Sequence, residues 1–132
     1  MTPEKDVQLC TKYPKIFRDR NESPRRTCMH WGLECGDGWY DLIDTLCHSI
    51  QHHVDWKFKD QEYRIKIGDL KPEDVKSEEE LQVVAAQVKE KFGGLRFYVD
   101  GGDDEIHGMV SFAEAMSYKI CEDCGSPGTL RK

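Results

Sequence analysis

Apolar residues recur every three or four positions from Trp39 through Leu42, Ile43, Leu46, Cys47 and Ile50 to Val54. That spacing places them on one helical face and predicts a helix over residues 37–53. Asp37 stands where an N-cap belongs, and Asp41 adds negative charge near the positive end of the helix dipole. The period then changes. Val54, Trp56 and Phe58 alternate with polar residues, as do Tyr63, Ile65 and Ile67, so two short strands are expected with a turn at Lys59 to Gln61. Residues 68–80, GDLKPEDVKSEEE, read as a charged connector whose acid run is a solvated loop or the first turn of a helix.

The next stretch, LQVVAAQVKEKFGGLRFYVD, satisfies two patterns. As a helix, Ser77 and Glu80 form a capping box, and Leu81, Val84, Ala85, Val88 and Phe92 share a face that ends at Gly93. As a hairpin, Gly93-Gly94 is a two-residue turn. It sets Phe92 opposite Leu95 and Val88 opposite Val99 on one face, and Lys91 with Arg96 and Lys89 with Tyr98 on the other. LRFYV is a strand by its aromatic and β-branched content and needs a partner, so the hairpin is preferred. After Asp100-Gly101-Gly102-Asp103 a second helix is expected over residues 104–118, with Ile106, Met109, Val110, Ala113 and Met116 inward.

Pro3, Pro14 and Pro24 interrupt residues 1–26, an irregular arm or short helix laid on the body by Tyr13, Ile16 and Phe17. The expected fold is α+β in a single domain, residues 1–132. Its parts are the arm (1–26), a body (27–120) and a tail (121–132) carrying a C-x-x-C turn. In the body, a small antiparallel sheet of three or four strands, including the Gly93-Gly94 hairpin, is packed by two helices.

Composition narrows the classes. A chain of 132 residues has room for one modest core. With 38% hydrophobic and 33% charged residues it is polar, yet its aromatics and lack of low-complexity runs set it apart from disordered chains. No apolar run approaches the roughly 20 residues of a membrane span. The start, MTPEKDVQLC, lacks the basic-then-apolar order of a secretory signal, so a cytoplasmic address is expected. In that compartment the six cysteines read as free thiols or metal ligands rather than disulfides. The net charge is −6, although residues 1–26 carry seven Lys and Arg against four Asp and Glu. An acidic protein with a small basic arm suits a basic protein surface better than a phosphate backbone.

The chemistry-bearing residues are mainly cysteines. Cys121 and Cys124 in CEDCG fit a C-x-x-C-G knuckle, in which two thiolates converge on one zinc ion and Gly125 allows a positive φ. A redox dithiol and two incidental thiols are the competing readings. A closed structural zinc site needs four ligands, and SPGTLRK supplies none. The missing pair would come from earlier in the chain, from another molecule, or not at all; the best internal donors are Cys28, His30 and Cys35 of TCMHWGLECGDGW, which read equally as small residues packed beside Trp31 and Trp39. His52 and His53 end the first predicted helix, and His48 sits one turn from His52, a spacing that suits a metal ion but is ordinary for a solvated pair. Cys10 and Cys47 read as packing residues. GGDDEIHG lacks the lysine and spacing of a phosphate loop, no segment has EF-hand spacing, and no catalytic residue is assigned.

Three motifs together, CxxWGxECGDGWYDLI from Cys28 to Ile43, QVKEKFGGLRFYV from Gln87 to Val99 and the CEDCGSPGTLR end, resemble a group of small uncharacterised proteins of tailed bacteriophages, prophages and bacteria. The similarity covers roughly residues 13–131. It implies that the knuckle at Cys121 and Cys124 would normally continue through a Trp-containing turn to a second Cys and His pair. This sequence stops before that pair, which puts the weight on Cys28, His30 and Cys35 or on a vacant knuckle.

The function expected first is a non-enzymatic phage accessory protein in the host bacterial cytoplasm. It would bind a host or phage protein and modulate it, for example as an inhibitor of an anti-phage defence system. The alternative is a zinc-containing nucleic-acid binder with Arg18, Arg20, Arg25 and Arg26 on phosphate and Tyr13 or Phe17 stacking on bases. A small metal-dependent hydrolase using His and Asp groups comes third.

Overall fold

The computed structural model describes residues 1–128. Their order is α1 (Pro3–Lys12), a 3₁₀ turn (Cys28–Trp31), β1 (Leu33–Glu34), a second 3₁₀ turn (Asp37–Trp39), α2 (Tyr40–Lys66), a third 3₁₀ turn (Pro72–Asp74), α3 (Glu78–Leu81), β2 (Val84–Lys91), β3 (Gly94–Asp100) and α4 (Asp104–Ser117). The α+β class stands. The sheet has three strands in the order β1-β2-β3 and is mixed rather than antiparallel, because β1 lies parallel to β2 with Leu33 opposite Val88.

Where two strands were expected over 54–58 and 63–67, the chain stays helical to Lys66. The three-and-four spacing continues: Val54 and Gln61 are buried, with Phe58 and Ile65 half-buried on the same face. Trp56, Tyr63 and Ile67, which produced the alternation, are 55%, 61% and 58% exposed. No Gly or Pro interrupts residues 40–67. Extending an existing helix gains one hydrogen bond per residue fixed, whereas a new strand would need a partner that this segment lacks. Gly68, at φ 80, ends the run. The buried Gln61 amide then ties the connector down, donating to Lys76 O and accepting from Lys76 N.

Residues 84–100 form the expected hairpin, with its register displaced. The turn residues are Phe92 and Gly93, at φ 55 and 84, so Lys91 faces Gly94 and Val88 faces Phe97 rather than Val99. Positive φ at both central residues is the mark of a type I′ turn. Gly94 falls within β3, where a Cβ would lie closer than 3.0 Å to the Tyr118 ring. The helical reading survives for one turn, α3, where Ser77 Oγ accepts from Glu80 N.

A bulge between Ala85 and Gln87 frees the Ala85 N–H to donate to Ile16 O at 2.8 Å, which splices the N-terminal segment onto the sheet. That segment is part of the core. Leu9, Tyr13, Ile16 and Phe17 are all buried, and Phe17 meets Phe97 edge-to-face at 6.4 Å. Asp6, also buried, accepts from Arg20 Nε and Leu33 N at 2.9 Å each. Cys47 is fully buried, as its helical position implied, and Cys10 is half-buried. Helix α4 is capped by Asp103, whose carboxylate accepts from Ile106 N, and buries Ile106, Val110 and Ala113. On the far side of β3, Leu95 N donates to Ser117 Oγ at 2.8 Å and Phe97 N to Glu114 Oε2 at 2.9 Å.

Gly94→Ala is expected to destabilise the fold by about 1–3 kcal/mol in chemical denaturation, the usual cost of forcing an atom into packed space. Adding Tyr118→Ala should recover part of that loss, so a double-mutant cycle should return a coupling between the two positions.

Candidate functional site

Beyond α4 the chain closes a small loop on itself. Cys121 N donates to Ser126 O at 2.7 Å, Gly125 N to Cys121 O at 2.8 Å and Gly128 N to Lys119 O at 2.8 Å, while Ile120 bridges Pro127. Gly125 adopts φ 79, in the left-handed region that glycine enters without a Cβ penalty. The loop brings Cys124 into hydrogen-bonding reach of Cys121. Bonds from the Ser126 hydroxyl first, then from the Ser126 N–H and the Cys121 thiol, pull the Cys124 thiol below its ordinary pKa.

The ECGDGW motif supports this loop. Gly36 N donates to Glu122 Oε2 at 2.8 Å, Gly38 N to Glu122 O at 2.7 Å and Trp39 Nε1 to Ile120 O at 3.0 Å. A Cβ at Gly36 or Gly38 would lie closer than 3.0 Å to the knuckle backbone. The two motifs that stood out in the sequence are therefore one structural unit. They meet through glycine N–H groups and a glutamate, not through sulfur.

The remaining candidate ligands are dispersed in role. Cys35 is 6% exposed, and its thiol is pushed up to about 12 by burial. Cys28 is exposed in the first 3₁₀ turn. His30 is exposed, with Nδ1 2.9 Å from Glu22 O and its ring edge-on to Trp31. Among the described residues no three His, Cys, Asp or Glu side chains form a group that could hold a metal ion. The nucleic-acid reading loses its stacking residues, because Tyr13 and Phe17 are buried in the core, and Arg20 is committed to Asp6.

A cleft in front of the knuckle is lined by Phe92, Tyr118, Ile120, Cys121, Cys124 and Pro127. Phe92 at its rim is 79% exposed and holds φ 55, a conformation that costs a residue with a Cβ about 1–2 kcal/mol. Sequence reasoning assigned the turn to the two glycines and so missed Phe92. Gly94 is glycine for another reason: the Tyr118 ring takes the space where its Cβ would lie.

A second polar centre joins α2 to the start of α4. His53 Nε2 lies 2.8 Å from Asp103 Oδ2, His53 Nδ1 lies 3.2 Å from Glu105 Oε2, and Lys57 Nζ lies 2.8 Å from Asp103 Oδ2. Partial burial works against the Asp103 charge. Hydrogen bonds from Lys57, His53 and the Ile106 N–H outweigh it and hold the carboxyl well below the usual range.

Comparison with models of protein families, with curated proteins and with solved structures returned no match. Among the described residues no helix is long and apolar enough to cross a membrane.

In metal-free protein, iodoacetamide at neutral pH should modify Cys124 well before Cys10, Cys35 and Cys47, read by peptide mass spectrometry. Burial raises all three of the latter thiols, Cys10 and Cys35 to about 12. Asp103→Asn keeps a cap acceptor and removes the charge. A depressed carboxyl stabilises the fold above its unfolded pKa of about 3.9 and loses that contribution as pH falls through the folded value. The variant should therefore be less stable than the parent at pH 7, with the gap closing as the pH falls below about 4 in denaturant titrations.

Proposed function

We propose that this chain is a non-enzymatic binding module that holds a protein partner against the hairpin tip and the knuckle. The observation that carries this reading is Phe92. A type I′ turn favours Asn or Gly, and this one places an exposed aromatic ring at a position where it strains the backbone and gains no burial. Exposed aromatics of this kind serve as interface anchors, because a partner that covers them recovers a large apolar area at low entropic cost. Tyr118, Ile120 and Pro127 extend the apolar surface, and Glu122 and Asp123 edge it with negative charge. The complementary surface is an apolar pocket with a basic rim.

Zinc is the ion that two knuckle thiols suit, and Cys121 and Cys124 would supply two of its four ligands. Its place in this reading is structural, fixing the shape of the loop that the partner reads. The resemblance to phage and prophage sequences directs the search to host or phage proteins of a bacterial cytoplasm, with anti-phage defence proteins first.

Phe92→Asn is the deciding variant. It should fold as stably as the parent or gain up to about 1 kcal/mol from relief of the turn. It should also retain less than a tenth of the partner captured from phage-infected or uninfected bacterial lysate, quantified by mass spectrometry. Phe112→Ala, at a residue 70% exposed on α4, should capture normally. Undiminished capture by the Asn variant would remove the reading.

A further inference from the structure

Helix α2 carries His48 and His52 four residues apart, which sets them one above the other on one face. Both are exposed, and their rings stack nearly parallel, 12° between planes and 6.4 Å between centroids. Among the described residues neither ring has a hydrogen-bond or ion-pair partner, whereas His53 beside them is held by Asp103 and Glu105. The two free rings open onto a cleft of about 560 Å³ that Trp56, Glu105 and Met109 also line.

We propose that His48 and His52 form a metal-binding site for an imidazole-favouring divalent ion of the Zn²⁺, Ni²⁺ or Cu²⁺ class. Neutral imidazole is a good ligand for these ions, and two on one helical turn chelate a single ion once the exposed rings rotate out of their parallel stack, with the backbone unmoved. The helix fixes the pair in advance, so the second imidazole binds at high effective concentration. Two protein ligands leave positions for water. The site is independent of the knuckle, uses none of its residues and lies on a different element.

The test uses the full chain with Cys121 and Cys124 changed to Ser, or with both thiols alkylated if that variant does not fold, so that the knuckle contributes no binding. Ni²⁺ alone is titrated while tryptophan fluorescence is followed. Trp56 lies one turn beyond His52 in the same cleft and should be quenched with saturation at one ion per chain, a signal absent from Trp56→Phe. His48→Ala and His52→Ala, both at exposed positions, should each weaken binding by about a hundredfold, the loss expected when a chelate becomes a single contact. Zn²⁺ should raise the unfolding midpoint of the parent and of neither His variant. Equal Ni²⁺ affinity in the parent and the His variants, or quenching that never saturates, overturns the proposal.

Discussion

Two glycine N–H groups directed at one glutamate hold the C-terminal loop in place. Gly36 and Gly38 donate to the side chain and backbone of Glu122 across 86 and 84 positions of sequence, and among the described residues the loop they hold has no helix and a single bridge of its own. Neither donor position tolerates a side chain, so the approach of the two backbones is the constraint and the sequence GDG follows from it. The N-terminus converges on the same turn. The Met1 amine donates to Cys35 O, and Thr2 N donates to Asp37 Oδ1 at 2.8 Å. Residues 1 and 2 and the C-terminal loop are thereby both fastened to the five-residue stretch from Cys35 to Trp39.

This arrangement explains why Cys35 is not available to the knuckle. The residue sits beside Gly36, within the motif that reaches Glu122, yet its side chain turns into the core with Trp39 and Ile43. Sequence proximity to the clasp and chemical participation in it are separate matters. The thiols differ accordingly: Cys10, Cys35 and Cys47 are desolvated, whereas Cys124 is exposed and hydrogen-bonded.

Much of the fold was legible where local pattern and tertiary packing agree. The first half of α2, the span of α4 and the β2–β3 hairpin follow from periodicity and turn residues, whereas Asp37, expected to cap α2, lies in the 3₁₀ turn before it and accepts from Thr2 N. The second half of α2 was misread because Val54, Trp56 and Phe58 fit alternation over a few residues, and only the solvent exposure of Trp56 distinguishes the two periods. The need for glycine at position 94 comes from Tyr118, 24 residues beyond it, which no local rule contains. Gly125 could be assigned from its motif. The association of GDG with Glu122 could not, because backbone donors leave no trace in residue chemistry beyond the absence of a side chain.

The side chains that meet β3 along its outer side settle how a partner can and cannot engage this surface. Ser117 and Glu114 already occupy the N–H groups of Leu95 and Phe97, standing in for a neighbouring strand, and β1 at the opposite border is only two residues long. Recognition by strand addition, in which backbone pairing supplies affinity almost regardless of sequence, is therefore closed on β3. Whatever binds beside the hairpin must read side chains. That makes the identity of a few residues at the tip, rather than the sheet that carries them, the determinant of selectivity.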